Sequence, residues 1–272
     1  MFSFFVLTFF VYNLDKFLRR SSLANALACG IPFAIALLIR PTNAFYLFLF
    51  ILYDVYTFKS LKERIIWLLK NTQYLLFIAL IVLIVFIPQM LYWHATVGKY
   101  FVYSYTFSYG GTESFIYWNS PKIGYVLFGV ESGWLVYTPF FFIFFIGLLW
   151  ALIKRKINAP AILILFILIL YANASWWCYT FSCSYGHRAF IEYYPVFLIP
   201  VAFCFQQVYI LRKKVVSGIL IFLLALFLMA NIRFTKFYFE DGCWIRPGWT
   251  WVNYNRALNK AFYIIPQSRN LK

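Results

Sequence analysis

The residues best equipped for chemistry fall in one stretch, Trp176 to Pro200, which reads WWCYTFSCSYGHRAFIEYYPVFLIP. Trp176, Trp177, Cys178 and Cys183 come first, then Gly186-His187-Arg188, and Glu192 follows four residues after the arginine. Apolar runs flank it, Ala161 to Ala174 before and Val196 to Leu211 after. Polar groups this dense between membrane-length segments are costly unless they meet water, a partner or a ligand. The spacing predicts Arg188 at the start of a helix, where unpaired backbone N–H groups and the dipole favour an anion. A guanidinium there matches phosphate geometry. Arg40, at the end of an earlier apolar run, can reach the same region. The expectation is a lipid-phosphate site lined by aromatic rings able to stack on sugar or prenyl groups.

Blander readings stand beside this one. Arg188 and Glu192 lie four apart on one helix face and would neutralise each other, a pairing worth about 0.2–0.5 kcal/mol in water. Arg40 reads equally as a snorkelling anchor. Trp93, Trp134, Trp176 and Trp177 fit an interfacial belt as well as a cavity lining. His94 and His187 carry little weight alone. Lys122 and Lys154 to Lys156 read as solvated, with Lys99 the better candidate for the site. Glu113 and Glu131 fall on the same face as Arg188 but in no paired arrangement that suggests acid–base work. No nucleophile–base set and no phosphate loop is present.

The elements that must position these residues are apolar helices. Of the 272 residues, 64% are hydrophobic and 24% aromatic, which leaves too little polar cover for a soluble globule. The sequence predicts an all-α polytopic membrane protein of about eight spans. They are Phe2 to Leu14, Leu23 to Ile39, Ala44 to Phe58, Tyr74 to Tyr92, Gly133 to Leu152, Pro160 to Thr180, Ala189 to Leu211 and Val215 to Ile232. Residues 1–232 form the membrane domain, 93–132 an aromatic loop along the interface, and 233–272 a polar tail. Pro41 pushes Arg40 out of helical geometry, and Pro88 is expected to bend the last turn of its span.

The formal charge of +16 is not gathered into a patch, so nucleic acid is not an expected partner. Arg19/Arg20, Lys59 to Lys70, Lys154 to Lys156 and Arg212 to Lys214 follow alternate spans, which sets that face as cytoplasmic. The long loop, Arg40, the Gly-His-Arg turn and the tail then share the outer face. This orientation starts the amino terminus outside with a short first span, giving the expectation that further spans precede it in a larger protein. Of five cysteines, Cys29 and Cys204 read as buried thiols, while Cys178, Cys183 and Cys243 allow one disulfide whose pairing stays open. No zinc spacing is present and no cofactor is expected, with a divalent metal left open.

Four segments in order resemble one family: LLIRPTN (Leu37 to Asn43), IPQMLYWHATVGKYFVYSY (Ile87 to Tyr105), VLFGVESGWLVYTPFF (Val126 to Phe141) and SYGHRAFIEYYPVFLIP (Ser184 to Pro200). They are similar to the later half of bacterial polytopic glycosyltransferases of the GT-C class, relatives of protein O-mannosyltransferases and lipid A aminoarabinose transferases. The resemblance covers most of residues 23 to 211. It implies sugar transfer from a polyprenyl-phosphate donor to a glycan, lipid or protein acceptor, on the outer face of a bacterial cytoplasmic membrane. It implies inversion with an acidic base in a first outer loop, which has no counterpart here. By the same likeness Arg40, Arg188 and Lys99 would serve the donor phosphate. Trp93, His94, Trp134, Trp176, Trp177, His187 and Glu192 would line the cavity. Two other classes fit the same residues: a transporter or flippase for a lipid-linked saccharide, and a non-catalytic membrane subunit.

Overall fold

The structure, a computed structural model, describes residues 2–102, 114–181, 185–212, 214–241 and 248–262, and these are helical with no strand among them. Helix α1 (Phe2–Arg19) ends on an Asp15–Arg19 ion pair of 2.9 Å. Helix α2 (Leu23–Ile39) starts at Ser22, whose hydroxyl accepts from the Asn25 N–H at 3.2 Å, a normal N-cap. It stops where Pro41 forces Arg40 into extended geometry, φ −155° and ψ 118°. A 3-10 segment (Pro41–Tyr46) leads into the short α3 (Leu47–Leu52).

The expected third span therefore does not run unbroken from Ala44 to Phe58. It breaks at Tyr53, which is extended, and Asp54, which is left-handed at φ 56°. The basic segment beyond it is a helix of its own, α4 (Phe58–Lys70), opened by a Thr57/Ser60 capping box. Lys59, Lys62 and Lys70 are exposed, while Arg64 is buried and donates from Nε to the Phe50 carbonyl at 2.9 Å. Its guanidinium lies over Trp67 at 4.4 Å.

Helix α5 (Thr72–Val97) runs through Pro88 and closes on Gly98, whose φ of 74° suits glycine at this C-terminal position. Short helices α6 (Ile123–Phe128) and α7 (Trp134–Tyr137) follow. A 3-10 turn (Pro139–Phe141) then leads into α8 (Phe142–Lys154). The expected fifth span is thus interrupted, because Pro139 cannot supply the N–H that a continuous helix needs. Helix α9 (Ala159–Ser175) ends five residues short of the expected Thr180, with Trp176 extended at φ −71° and ψ 145°. A 3-10 segment (Arg188–Tyr193) feeds α10 (Tyr194–Ile210). Helix α11 (Lys214–Asp241) continues past Ile232, and α12 (Trp251–Phe262) folds back along it.

One apolar core joins α1, α2, α3, α8, α9 and α10. At its centre Trp134 is fully buried, stacked on Phe190 at 4.5 Å, with its indole N–H donating to the Tyr194 hydroxyl at 3.2 Å. A smaller cluster forms around Tyr137, Phe234 and Ala257. Helices α8 and α10 meet closely at Gly147, where an added Cβ would fall 2.0 Å from the Pro200 carbonyl oxygen.

Among the described residues, three helical segments are long and apolar enough to cross a membrane: Thr72–Val97, Arg188–Ile210 and Lys214–Phe239. Along α5 and α11, Leu76, Leu83, Ile84, Ile221, Phe222 and Ile232 are exposed, a surface that suits lipid and not water. The chain is a membrane protein. Shorter apolar helices at Leu23–Ile39, Pro41–Leu52, Pro139–Lys154 and Ala159–Ser175 complete the body.

The body has two polar ends. At one, the Tyr53 hydroxyl donates to Asp15, the Asp54 N–H to Asn158 Oδ1 at 2.7 Å, and Lys154 Nζ to Gln207 Oε1 at 3.2 Å. At the other, the Lys122 N–H donates to the Ala174 carbonyl at 2.9 Å and the Trp177 N–H to the Ser114 carbonyl at 3.0 Å. Helices α9 and α10 each run from one end to the other, so the basic clusters and Arg40 sit at opposite ends.

Candidate functional site

Arg40 stands at the end of α2 on a turn whose sequence fixes its direction. Asn43 is fully buried and donates from Nδ2 to the Ala36 carbonyl at 2.9 Å, which also accepts from the Arg40 N–H at 3.1 Å. The turn is then tied to the 3-10 segment before α10. Tyr46 donates its hydroxyl to the Glu192 carbonyl at 2.9 Å, Tyr193 donates to the Thr42 carbonyl at 3.2 Å, and the two rings stack at 5.5 Å. This tie brings Arg40 Nη1 to 3.4 Å from Glu192 Oε2, with 30% and 13% of the two side chains exposed. The Phe181 ring lies 6.0 Å from the guanidinium. Arg40, Pro41, Thr42, Phe115, Ala172, Asn173, Trp176 and Phe181 enclose a cavity of about 180 Å³.

His187 packs against Phe181 at 5.1 Å but is not part of the lining of the Arg40 cavity. It is 3% exposed, packs on Phe190 at 4.9 Å, and its Nε2 lies 3.0 Å from the Tyr179 carbonyl. A carbonyl only accepts, so Nε2 carries the proton and Nδ1 is the acceptor of the neutral ring. Nδ1 is buried with no hydrogen-bond partner. Burial, chiefly, and the charges of Arg40 and Arg188 bring its pKa down to about 4, against a backbone hydrogen bond that acts the other way. His187 is therefore neutral at pH 7.

The remaining expected site residues divide. Trp176 lines the Arg40 cavity. Arg188 is at the same end but exposed, and among the described residues no ion pair holds it. The expected Arg188–Glu192 pairing is replaced by Arg40–Glu192, because residues 188–193 form a 3-10 turn and not the α-helix that would stack i over i+4. The helical segment does begin at Arg188, as a 3-10 turn, and the Arg188 N–H donates to the Gly186 carbonyl at 3.1 Å. Trp134 belongs to the core and does not face a cavity. Trp177 is half-buried, with a buried and unpartnered indole N–H, outside the lining of the Arg40 cavity.

Trp93, His94 and Lys99 are not brought to Arg40. Phe17 contacts both Trp67 and Tyr74, and Gly30 packs on Ile78 and Ile81, so α5 and α2 run parallel. From that contact α5 goes on to Val97 and α2 only to Ile39, so α5 overshoots by roughly 10 Å at 1.5 Å per residue. His94 stacks on Tyr100 at 4.4 Å on this projecting end, and Lys99 is exposed there. Cys29, Cys178 and Cys204 are free thiols. Glu113, Cys183 and Cys243 lie outside the described residues. Among the described residues no cluster of His, Cys, Asp or Glu suits a metal ion.

Phe115, Phe181, Thr42 and Asn173 belong to the cavity and were not expected there. Thr42 and Asn173 sit beside residues the sequence does single out, but Phe115 and Phe181 carry no pattern in so aromatic a chain. Comparison with protein families, curated proteins and solved structures finds no match to this chain.

Proposed function

We propose that the chain acts in glycosyl transfer from a polyprenyl-phosphate-linked sugar, on the outer face of a cytoplasmic membrane, with Arg40 holding the donor phosphate. The observation that carries this reading is a partly exposed guanidinium beside an aromatic-walled cavity at the end of the body away from the basic clusters. Arg40 has donors left over after its single contact with Glu192, and phosphate oxygens fit them. About 180 Å³ is smaller than the ~300 Å³ at which pockets begin to enclose whole drug-sized ligands. A phosphate and part of a sugar fit, and the prenyl chain would run down the lipid-exposed helices. Trp176 and Phe115 offer faces to the sugar. In this reading the body crosses the membrane about eight times, the shorter helices being met by local thinning of the bilayer and by snorkelling flanking residues.

Transfer breaks the bond from the anomeric carbon to the phosphate oxygen and forms one to an acceptor hydroxyl. The electron pair leaves with the polyprenyl phosphate, and the hydroxyl proton goes to a base. Glu192 is engaged by Arg40 and is not assigned that role. The test is transfer from radiolabelled polyprenyl-phosphate sugars to membrane acceptors in proteoliposomes. The reading expects label to move covalently and Arg40→Gln to abolish it. Movement of intact donor across the bilayer without transfer would support a flippase instead.

A further inference from the structure

We propose that a second cavity, whose lining adjoins that of the Arg40 cavity at Thr180 and Phe181, binds the acceptor saccharide. This rests on the transfer reading above. The cavity holds about 360 Å³, within the range of small-ligand sites, and its lining includes Tyr125, Glu131, Ser132, Tyr179, Thr180 and Trp251.

Three features give it saccharide chemistry. The Glu131 carboxylate has one hydrogen bond among the described residues, from the Gly248 N–H to Oε1 at 3.2 Å, so most of its acceptor capacity is left for hydroxyls. Ser132 is 2% exposed and its Oγ has no hydrogen-bond partner, a buried polar group that calls for a ligand or water. Tyr125 and Trp251 are 62% and 53% exposed, large rings standing open at the rim where an apolar sugar face can lie on them. A purely apolar ligand would leave Glu131 and Ser132 desolvated and unpaired.

The position matters as much as the lining. Tyr179 and Thr180 wall this cavity and Phe181, the next residue, walls the Arg40 cavity. Consecutive Cα atoms are about 3.8 Å apart, so the linings of the two cavities adjoin at Thr180 and Phe181. A donor held at Arg40 and a glycan held at Glu131 would meet where the two linings adjoin.

The experiment uses the full chain in lipid nanodiscs and a panel of p-nitrophenyl glycosides (glucoside, galactoside, mannoside, rhamnoside and N-acetylglucosaminide), read by saturation-transfer NMR and tryptophan fluorescence. At least one glycoside is expected to bind, Glu131→Gln and Trp251→Ala each weakening it about tenfold. Arg40→Gln/Glu192→Gln, which removes both charges of the pair, is expected to lose polyprenyl-phosphate binding. Trp251 is exposed, so its replacement tests the site without threatening the fold. No binding by any of the five, or binding that neither variant weakens, overturns the saccharide site. Failure of polyprenyl phosphate to bind wild-type protein, with glycoside binding intact, would instead count against the donor reading.

Discussion

Arg40 and Glu192, remote in sequence, form an ion pair at 3.4 Å that joins the end of α2 to the turn before α10. The pair is only part-buried, and Glu192 is the more enclosed partner. Removing the arginine alone leaves a nearly buried carboxylate without its counter-charge, which costs more than removing both charges. We expect Arg40→Gln to destabilise the protein by on the order of 2 kcal/mol, below the full figure for a buried pair because Arg40 is part-exposed. Arg40→Gln with Glu192→Gln should recover most of that. Thermal unfolding in detergent checks it, and a double variant no more stable than the single one would show the pair to be incidental.

His187 makes stability depend on pH. A free histidine titrates near 6.5 and His187 near 4, so between these values the unfolded chain holds a proton that the folded chain lacks. Stability is fully present above about 6.5, falls as pH drops toward 4, and changes no further below that for this group. The shift corresponds to on the order of 3 kcal/mol. The melting temperature measured from pH 7 to pH 4 should decline, and His187→Asn should flatten that decline. An unchanged slope in the variant would assign the effect to other groups.

Gly147 sets the approach of α8 to α10. A methyl group there meets backbone and not a movable side chain, so the helices must separate. Gly147→Ala is expected to cost about 1–3 kcal/mol, the range for overpacking. Gly218, where an added Cβ meets nothing, supplies the control: Gly218→Ala should be neutral or slightly stabilising. Equal melting temperatures for the two variants would remove the close contact from the account.

The two polar ends predict sidedness. In a cysteine-free background, Arg188→Cys should react with an impermeant maleimide from outside sealed right-side-out vesicles. Lys156→Cys, exposed at the opposite end, should react only after permeabilisation. Labelling of both from one side would contradict the topology.

The path from sequence to site was legible where local chemistry decides. Ser22 and Pro41 bracket α2, and the extended geometry of Arg40 follows directly from the proline behind it. The apolar runs mark most of the helices. Their breaks did not show as well, since Tyr53-Asp54 and Thr138-Pro139 interrupt runs that hydropathy alone reads as continuous. Trp134 looked like a belt or cavity residue because a lone tryptophan beside glycines carries no sign of the six aromatic rings packed around it. The partner of Glu192 was the hardest to see. Four-residue spacing points to Arg188, and only the Tyr46 and Tyr193 hydrogen bonds, long-range contacts with no local signal, bring Arg40 there instead.

The most direct test is the affinity of the protein in nanodiscs for undecaprenyl phosphate, wild type against Arg40→Gln/Glu192→Gln, the variant chosen to keep the fold. Binding that falls about tenfold or more in the variant is the predicted result. Equal affinity for the two proteins would contradict a phosphate grip at Arg40.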